Sequence, residues 1–292
     1  MTRRMLGGLC VLALCAPVAA QDPAVDQVVD LAGKYVVRYA EALPLLVAAE
    51  NYSQWSESMD EGGRPWHRTL LDEFALVRLA SGDDWTVYRD TYQVDNKRVS
   101  SATDRLQRAL KAGDAAGIAE ARRLSSESAT YNMAPMGKGF NKPTMALFFL
   151  RPANKARYTF KKGGEASVNG IATWKIDFME TQKPTLFRSP TGNDLPIRGS
   201  FWINPEDGRV LRTQMEMEIQ AATGVARNDT WASIRVTYKP DGADGVLLPS
   251  EMLENYEYLK VSTVGGKDAR MRVNCVATYS GYQRAARQAP AP

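Results

Sequence analysis

The sequence predicts a mainly β protein with helices: an α+β fold built on one curved antiparallel sheet, or half-open β-barrel, of about 10–11 strands. An N-terminal amphipathic helix and a helical insertion are expected on the concave face. Three observations predict it. Apolar residues recur every three or four positions near the start of the chain. Extended segments with regular turn signals fill almost everything after residue 156. One of those segments alternates cleanly between an apolar and a charged face.

The first twenty residues read as an export signal. Arg3 and Arg4 precede an apolar run from Met5 to Ala16, and Pro17-Val18-Ala19-Ala20 ends in small residues suited to cleavage before Gln21. The run is shorter than the ~20 residues a bilayer-spanning helix needs. Cys10 and Cys15 follow Leu9 and Leu14, which are too large for a lipid-attachment site. Removing this leader takes 292 residues to 272 and the formal charge from +4 to +2, and leaves Cys275 as the single thiol. So small a charge gives no case for nucleic acid or for attraction to acidic membranes. With one thiol there is no internal disulfide, so burial must hold the fold.

The elements follow in order. Val25, Val28, Val29, Ala32, Tyr35, Val36, Tyr39 and Leu43 form one helical stripe, opened by Asp22-Pro23 and closed by Pro44. Extended segments are expected at 45–55, 67–80 and 85–94, with turns at Glu61-Gly62-Gly63-Arg64-Pro65 and Ser81-Gly82-Asp83-Asp84. The second carries Leu70, Phe74 and Leu76 on one face and Leu71, Ala75, Val77 and Leu79 on the other, so it should be covered on both sides. Helix returns over 103–132, broken at Gly113-Asp114, and a short apolar segment at 142–150 ends at Arg151-Pro152. Strands are then expected at 157–162, 171–181, 196–204, 209–220, 231–239, 251–260 and 270–282. Turns are expected at Gly163-Gly164, Pro190-Thr191-Gly192-Asn193, Asn204-Pro205-Glu206-Asp207-Gly208, Pro240-Asp241-Gly242 and Gly265-Gly266. Neither a repeat nor a low-complexity linker interrupts the chain, which reads as one domain over 21–284 with a loose tail over 285–292.

Chemistry is scarce. A single histidine, His67, excludes zinc sites built on two or three histidines and leaves one residue on which to base a Ser-His-Asp machine. Asp72-Glu73 and Asp83-Asp84 are adjacent on strand segments and so point to opposite faces. Asp60-Glu61-Gly62-Gly63 beside Trp66-His67 is the loop where a hidden site would lie. Gly163-Gly164 and Gly265-Gly266 open no helix and so are not phosphate cradles. Lys161-Lys162 and Arg122-Arg123 are too short for a nucleic-acid stripe. No catalytic residue, cofactor or metal is implied, and the chain reads as a non-enzyme.

The 209–220 segment marks the surface of interest. Leu211, Thr213, Met215, Met217 and Ile219 face one way, and Arg212, Gln214, Glu216 and Glu218 the other. Met179, Met215, Met217 and Met271 read as inner-face thioethers suited to adaptable apolar contacts. Cys275 falls in the alternating set Met271, Val273, Ala277 and Tyr279, and reads as a small buried hydrophobe. The expected ligand face is Leu211, Met215, Met217, Ile219, Met271 and Val273.

One stretch resembles a known family. Phe201-Trp202-Ile203-Asn204-Pro205-Glu206-Asp207-Gly208-Arg209-Val210-Leu211-Arg212 is similar to the W-I-D-x-x-T-G-x-P-x-R hairpin of the outer-membrane lipoprotein carrier and sorting (LolA/LolB-like) superfamily. Val246-Leu247-Leu248-Pro249 resembles the family's G-x-x-L-P strand start. Asn204 stands at the family's Asp and Val210 at its Pro. The likeness is clearest over 170–258, and no ligand residue carries across. It implies a periplasmic half-barrel of a Gram-negative bacterium holding or shuttling an apolar acyl or lipid-like ligand; a monomer is expected. The alternatives are an envelope protein-interaction or sensing domain with a self-filled concave face, and, more distantly, a secreted hydrolase.

Overall fold

A computed structural model describes residues 23–59, 64–78, 85–111, 113–133, 141–189, 192–223, 226–240, 246–262 and 268–284. The expected leader, the tail after 284, the Asp60-Glu61-Gly62-Gly63 loop, Asp83-Asp84, Leu79 and Gly265-Gly266 lie outside them. The chain opens with helix α1 (Pro23–Ala42), then strands β1 (Leu45–Ser58), β2 (Trp66–Arg78), β3 (Trp85–Val94) and the two-residue β4 (Lys97–Arg98). Helices α2 (Arg105–Lys111) and α3 (Ala115–Ala129) follow, then a 3₁₀ turn (Met145–Leu150) and the short α4 (Pro152–Lys155). A meander ends the chain: β5 (Tyr158–Val168), β6 (Ile171–Glu180), β7 (Arg198–Ile203), β8 (Val210–Thr223), β9 (Ala226–Pro240), β10 (Leu247–Ser262) and β11 (Ala269–Arg284). The eleven strands of the described residues form one antiparallel sheet, ordered β4-β3-β2-β1-β11-β10-β9-β8-β7-β6-β5.

That sheet is curved, and α1 shows why. Nine strand steps separate β3 from β5, about 43 Å if laid flat, whereas a 20-residue helix is ~30 Å long. Yet α1 reaches both. Tyr39 near its end packs edge-on against Trp85 of β3 at 5.5 Å, and Trp85 donates its indole N–H to Leu43 O at 3.3 Å. Asp26 and Asp30 near its start bind Lys155, just before β5, at 3.3 and 2.7 Å. The sheet therefore curls around the helix. The stripe of α1 read from sequence is the buried one, and it joins the inward side chains of β1, β2 and β5–β11 in one core.

The helical insertion divides between two faces rather than lying wholly on the concave one. Residues 141–150 do sit inside, where Met145, Leu147, Phe149 and Leu150 are buried with α1. By contrast, α2 and α3 cover the outer face, where Leu106, Leu110, Ala121 and Leu124 pack on Leu45, Val47, Ala75, Val77 and Tyr88. The doubly apolar β2 demands this, since its outward Ala75 and Val77 also need cover. Glu73 fixes the arrangement by accepting the backbone N–H groups of Leu106 and Gln107 at the start of α2, at 2.8 and 2.9 Å. Asp114 caps α3 at the expected break, accepting from Gly117 N at 2.7 Å.

Gly163-Gly164 is not a turn. The pair lies inside β5 as a bulge, and an added Cβ on Gly163 would sit 2.3 Å from the Asp177 carboxylate. The turn comes later, at Asn169-Gly170, with φ of 51° and 79° as a two-residue hairpin requires.

Candidate functional site

Strand register sorts the inner face into cross-strand rows. One runs Thr213–Val236–Met252–Ala277–Tyr52–Leu70. The next is Met215–Ile234–Glu254–Cys275–Gln54–Arg68, then Met217–Ala232–Tyr256–Val273–Ser56–Trp66, and last Ile219–Thr230–Tyr258–Met271–Ser58. The six residues expected from sequence all belong to this face, but they do not share one environment. Leu211, Met215, Met217 and Val273 are sealed core, whereas Ile219 and Met271 are only partly covered. Tyr258 is partly covered too, and Trp66 is 50% exposed. The face therefore passes from filled to open along the strands. Met179, expected inside, points outward and is 53% exposed, because the inward positions of β6 are Ile176, Phe178 and Glu180.

Sequence reasoning missed a buried polar cluster on the same face. Glu50 of β1 is 1% exposed and receives both Nε and Nη2 of Arg89, the latter at 2.9 Å, while Nη2 also donates to Asn141 O at 3.1 Å. Burial draws the Arg89 guanidinium down, but the charge and hydrogen bond of Glu50, with Tyr279 and Asp72, together leave the group raised. Asp72 lies beside Glu50 across the strands, fully buried. Further along, Glu254 accepts the Tyr256 hydroxyl, and Gln54 accepts Met133 N at 3.0 Å. Burial first, and the Glu254 carboxylate second, push the Tyr52 and Tyr256 hydroxyls far above the ordinary phenol range. Burial and Glu50 do the same to Tyr279. Phenols held so high stay protonated near neutrality, and the Tyr256 hydroxyl donates to Glu254. A signal existed for these groups: Glu50 and Gln54 occupy the same register as Leu46, Ala48 and Tyr52.

His67 lies on the outer face. It stacks on Trp55 with ring centroids 5.0 Å apart, and its Nε2 is 3.5 Å from Thr69 Oγ1. Asp72 and Glu73 point to opposite faces, as adjacent strand residues must. Among the described residues, no three His, Cys, Asp or Glu side chains gather as a metal site, and no helix is long and apolar enough to cross a membrane.

The hairpin that resembles a known family is seated on α1. Asn204 Oδ1 accepts Glu206 N at 2.8 Å, and Gly208 N donates to Asn204 O at 2.9 Å. A carboxylate oxygen at position 204 would accept the same N–H, so Asn in place of Asp preserves the turn. Gly208, at φ +75°, lies so close to the α1 backbone that a Cβ would sit 2.3 Å from Leu31 C.

No protein-family model matches the chain, and no curated protein matches it. Among solved structures, the chain is similar to an outer membrane lipoprotein-sorting protein domain from Vibrio parahaemolyticus, at 11% identity and TM-score 0.40, covering 89% of this chain and 93% of that one. A DUF1329 family protein from Desulfovibrio piger is similar at 14% identity and TM-score 0.31, covering 89% and 93%. A LolA superfamily protein from Nitrosomonas europaea is similar at 9% identity and TM-score 0.26, covering 87% and 94%.

Proposed function

We propose that the chain is an exported, non-catalytic binding module of a Gram-negative periplasm that holds an apolar, acyl-like ligand against the open half of its inner face. The leader pattern over 1–20 supports export. The gradation of the cross-strand rows carries the ligand reading: Ile219, Tyr258 and Met271 form an incompletely covered apolar rim beyond the sealed row of Met217, Ala232, Tyr256 and Val273.

Magnitudes decide which half is available. The α1 stripe buries Val25, Val28, Val29, Val36, Tyr39 and Leu43, and at about 1.5–3 kcal/mol per large apolar side chain its removal costs on the order of 10 kcal/mol. A micromolar ligand contributes about 8 kcal/mol. Displacing α1 therefore exceeds what such a ligand supplies, and the near half stays filled by the chain itself. The filled half, with Trp55, Met59 and Trp66 exposed at the far end of β1 and β2, favours a second reading in which that end meets a protein.

Titration of the mature chain with a fluorescent fatty acid tests the first reading. Ile219→Arg places a charge on the rim, from which it can reach water, so it should fold yet weaken binding at least about tenfold. Thr278→Arg, on the exposed outer side of β11, should bind as the unmutated chain does. No probe binding by the unmutated chain, or equal binding by Ile219→Arg, would remove the acyl-ligand reading.

A further inference from the structure

Among the described residues, several stretches of strand backbone in this sheet have no strand beside them. Two are the outer edges, and both are blunted. On β3, the N–H groups of Arg89 and Thr91 donate to Ser125 and Ser128 of α3, at 2.8 and 2.7 Å. On β5, the Gly163-Gly164 bulge and the charged Lys161, Lys162 and Glu165 interrupt the edge.

Another lies inside the sheet, along β8. Pairing of β7 with β8 ends at Arg198 opposite Glu216, but β8 runs on to Thr223. Residues 217–223 keep β9 on one side. On the other, among the described residues, no backbone–backbone hydrogen bond reaches them. N–H and C=O groups alternate between the two sides of a strand, so every second residue presents both to this gap. Beside it opens a cavity of about 310 Å³ whose wall includes Met179, Asp194, Arg198, Glu216, Glu218 and Trp231. Asp194 is held by Thr185 beside Lys183 and Arg188 and Arg198 is engaged with Glu216 at 3.3 Å, so the acidic pair at this edge is Glu216 and Glu218.

We propose that this bare edge is a strand-addition site for an extended basic segment of another protein. A strand laid along β8 alternates its side chains between the faces. Outward lysines or arginines would meet Glu216 and Glu218 with their stems along Trp231 and Met179; inward apolar residues would continue the row of Met217 and Ile219. A second copy of this chain fits worse, because its own 217–223 edge carries Glu218 and no lysine or arginine to meet the Glu216 and Glu218 carboxylates. The proposal is independent of the acyl-ligand reading, since the backbone edge and the outer carboxylates carry it.

The test uses the mature chain and a fluorescein-labelled heptapeptide of alternating lysine and valine, followed by anisotropy. Binding should weaken as salt is raised. A glutamate–valine peptide, and the Glu218→Lys variant with the basic peptide, should each bind at least about tenfold more weakly. Two further peptides carry N-methyl groups on odd or on even amides. Pairing through one edge makes one set harmful and leaves the other nearly neutral. Amide exchange over 217–223 should slow when the basic peptide binds. Equal binding of both N-methylated peptides would reduce the contact to surface charge and overturn the proposal. So would absence of binding at millimolar peptide, or concentration-dependent dimerisation that protects 217–223 without any peptide.

Discussion

Two glycines with nearly the same backbone angle allow the seating of α1 to be measured. Gly170, at φ +79°, turns the β5–β6 hairpin, and an added Cβ there meets nothing within 4 Å. Gly208, at φ +75°, turns the β7–β8 hairpin, and its Cβ would meet Leu31 C, Leu31 O and Ala32 N at 2.3, 2.5 and 2.7 Å. Those are helix backbone atoms, which cannot rotate aside. Alanine at either position incurs the left-handed strain of about 1–2 kcal/mol. Only at 208 does it also force hairpin and helix apart, at a further ~1–3 kcal/mol by analogy with overpacked cores. Gly170→Ala should therefore lose ~1–2 kcal/mol in urea unfolding and Gly208→Ala about 2–5. At 2–4 °C per kcal/mol, the second should melt several degrees below the first. Binding of a hydrophobic dye should rise for Gly208→Ala alone, because the gap opens onto the apolar inner face. Equal losses, within ~0.5 kcal/mol, would mean that α1 does not rest on this hairpin and that its cover of the near half is weaker than argued.

Other consequences are as specific. Arg89→Met leaves Glu50 buried without its cation and should cost about 3–5 kcal/mol near pH 7, whereas Glu50→Leu with Arg89→Met should regain most of that; a double variant as unstable as the single one in urea would refute the pairing. Burial holds the Glu73 carboxyl above its ordinary 4.5, partly offset by the N–H groups of Leu106 and Gln107. The folded chain thus binds that proton more tightly than the unfolded one, and its stability should fall as pH rises from about 4.5 through the raised value. Glu73→Gln should lack that component when melting is followed against pH, and a slope of the opposite sign would show that the N–H groups win. His67→Ala loses an exposed stack on Trp55 and should stay within ~1 kcal/mol of the unmutated chain with fatty-acid binding unchanged; lost binding would relocate the site to the outer end of β1 and β2.

How legible these features were depended on whether neighbouring residues or distant ones set them. The α1 stripe, the 85–94 strand and the Gly113-Asp114 break follow from local spacing and capping, and the structure repeats them. The wet and dry faces of β8 follow from alternation alone. Gly163-Gly164 misled because glycine also serves where a cross-strand neighbour, here Asp177, needs the space of a Cβ. Asn169-Gly170, a stronger hairpin signal, stood six residues further on. Met179 misled because residue type was allowed to outweigh parity within its strand. The division of the insertion followed from β2, whose two apolar faces were visible, but which face the helices cover is settled by Glu73 meeting the start of α2, a contact 33 residues apart.

Glu50, Gln54 and Glu254 are the instructive omission, because they bear on how deep a ligand can go. Each was legible as a polar residue in an inward register, yet only the fold shows that they lie across neighbouring strands. Successive rows on one face are about 6.6 Å apart. On the proposed reading, a chain entering from the rim crosses the Ile219–Met271 row and goes deeper only by parting the cover over the sealed Met217–Val273 row. It then meets the row that holds Glu254 and Gln54. Passing further would press methylenes against a buried carboxylate and an amide whose hydrogen bonds to Tyr256 and Met133 are already made. Stripping such a group of its partner costs about 1–3 kcal/mol, more when charged, while each methylene gains about 0.8. A methylene that enters the third row therefore loses more than it gains. The polar row sets a floor two rows, or roughly 13 Å, below the rim. Replacing Glu254 and Gln54 with leucine should lower that floor, so that longer acyl probes gain affinity while short ones do not; equal affinities across chain lengths in both proteins would show that no floor exists.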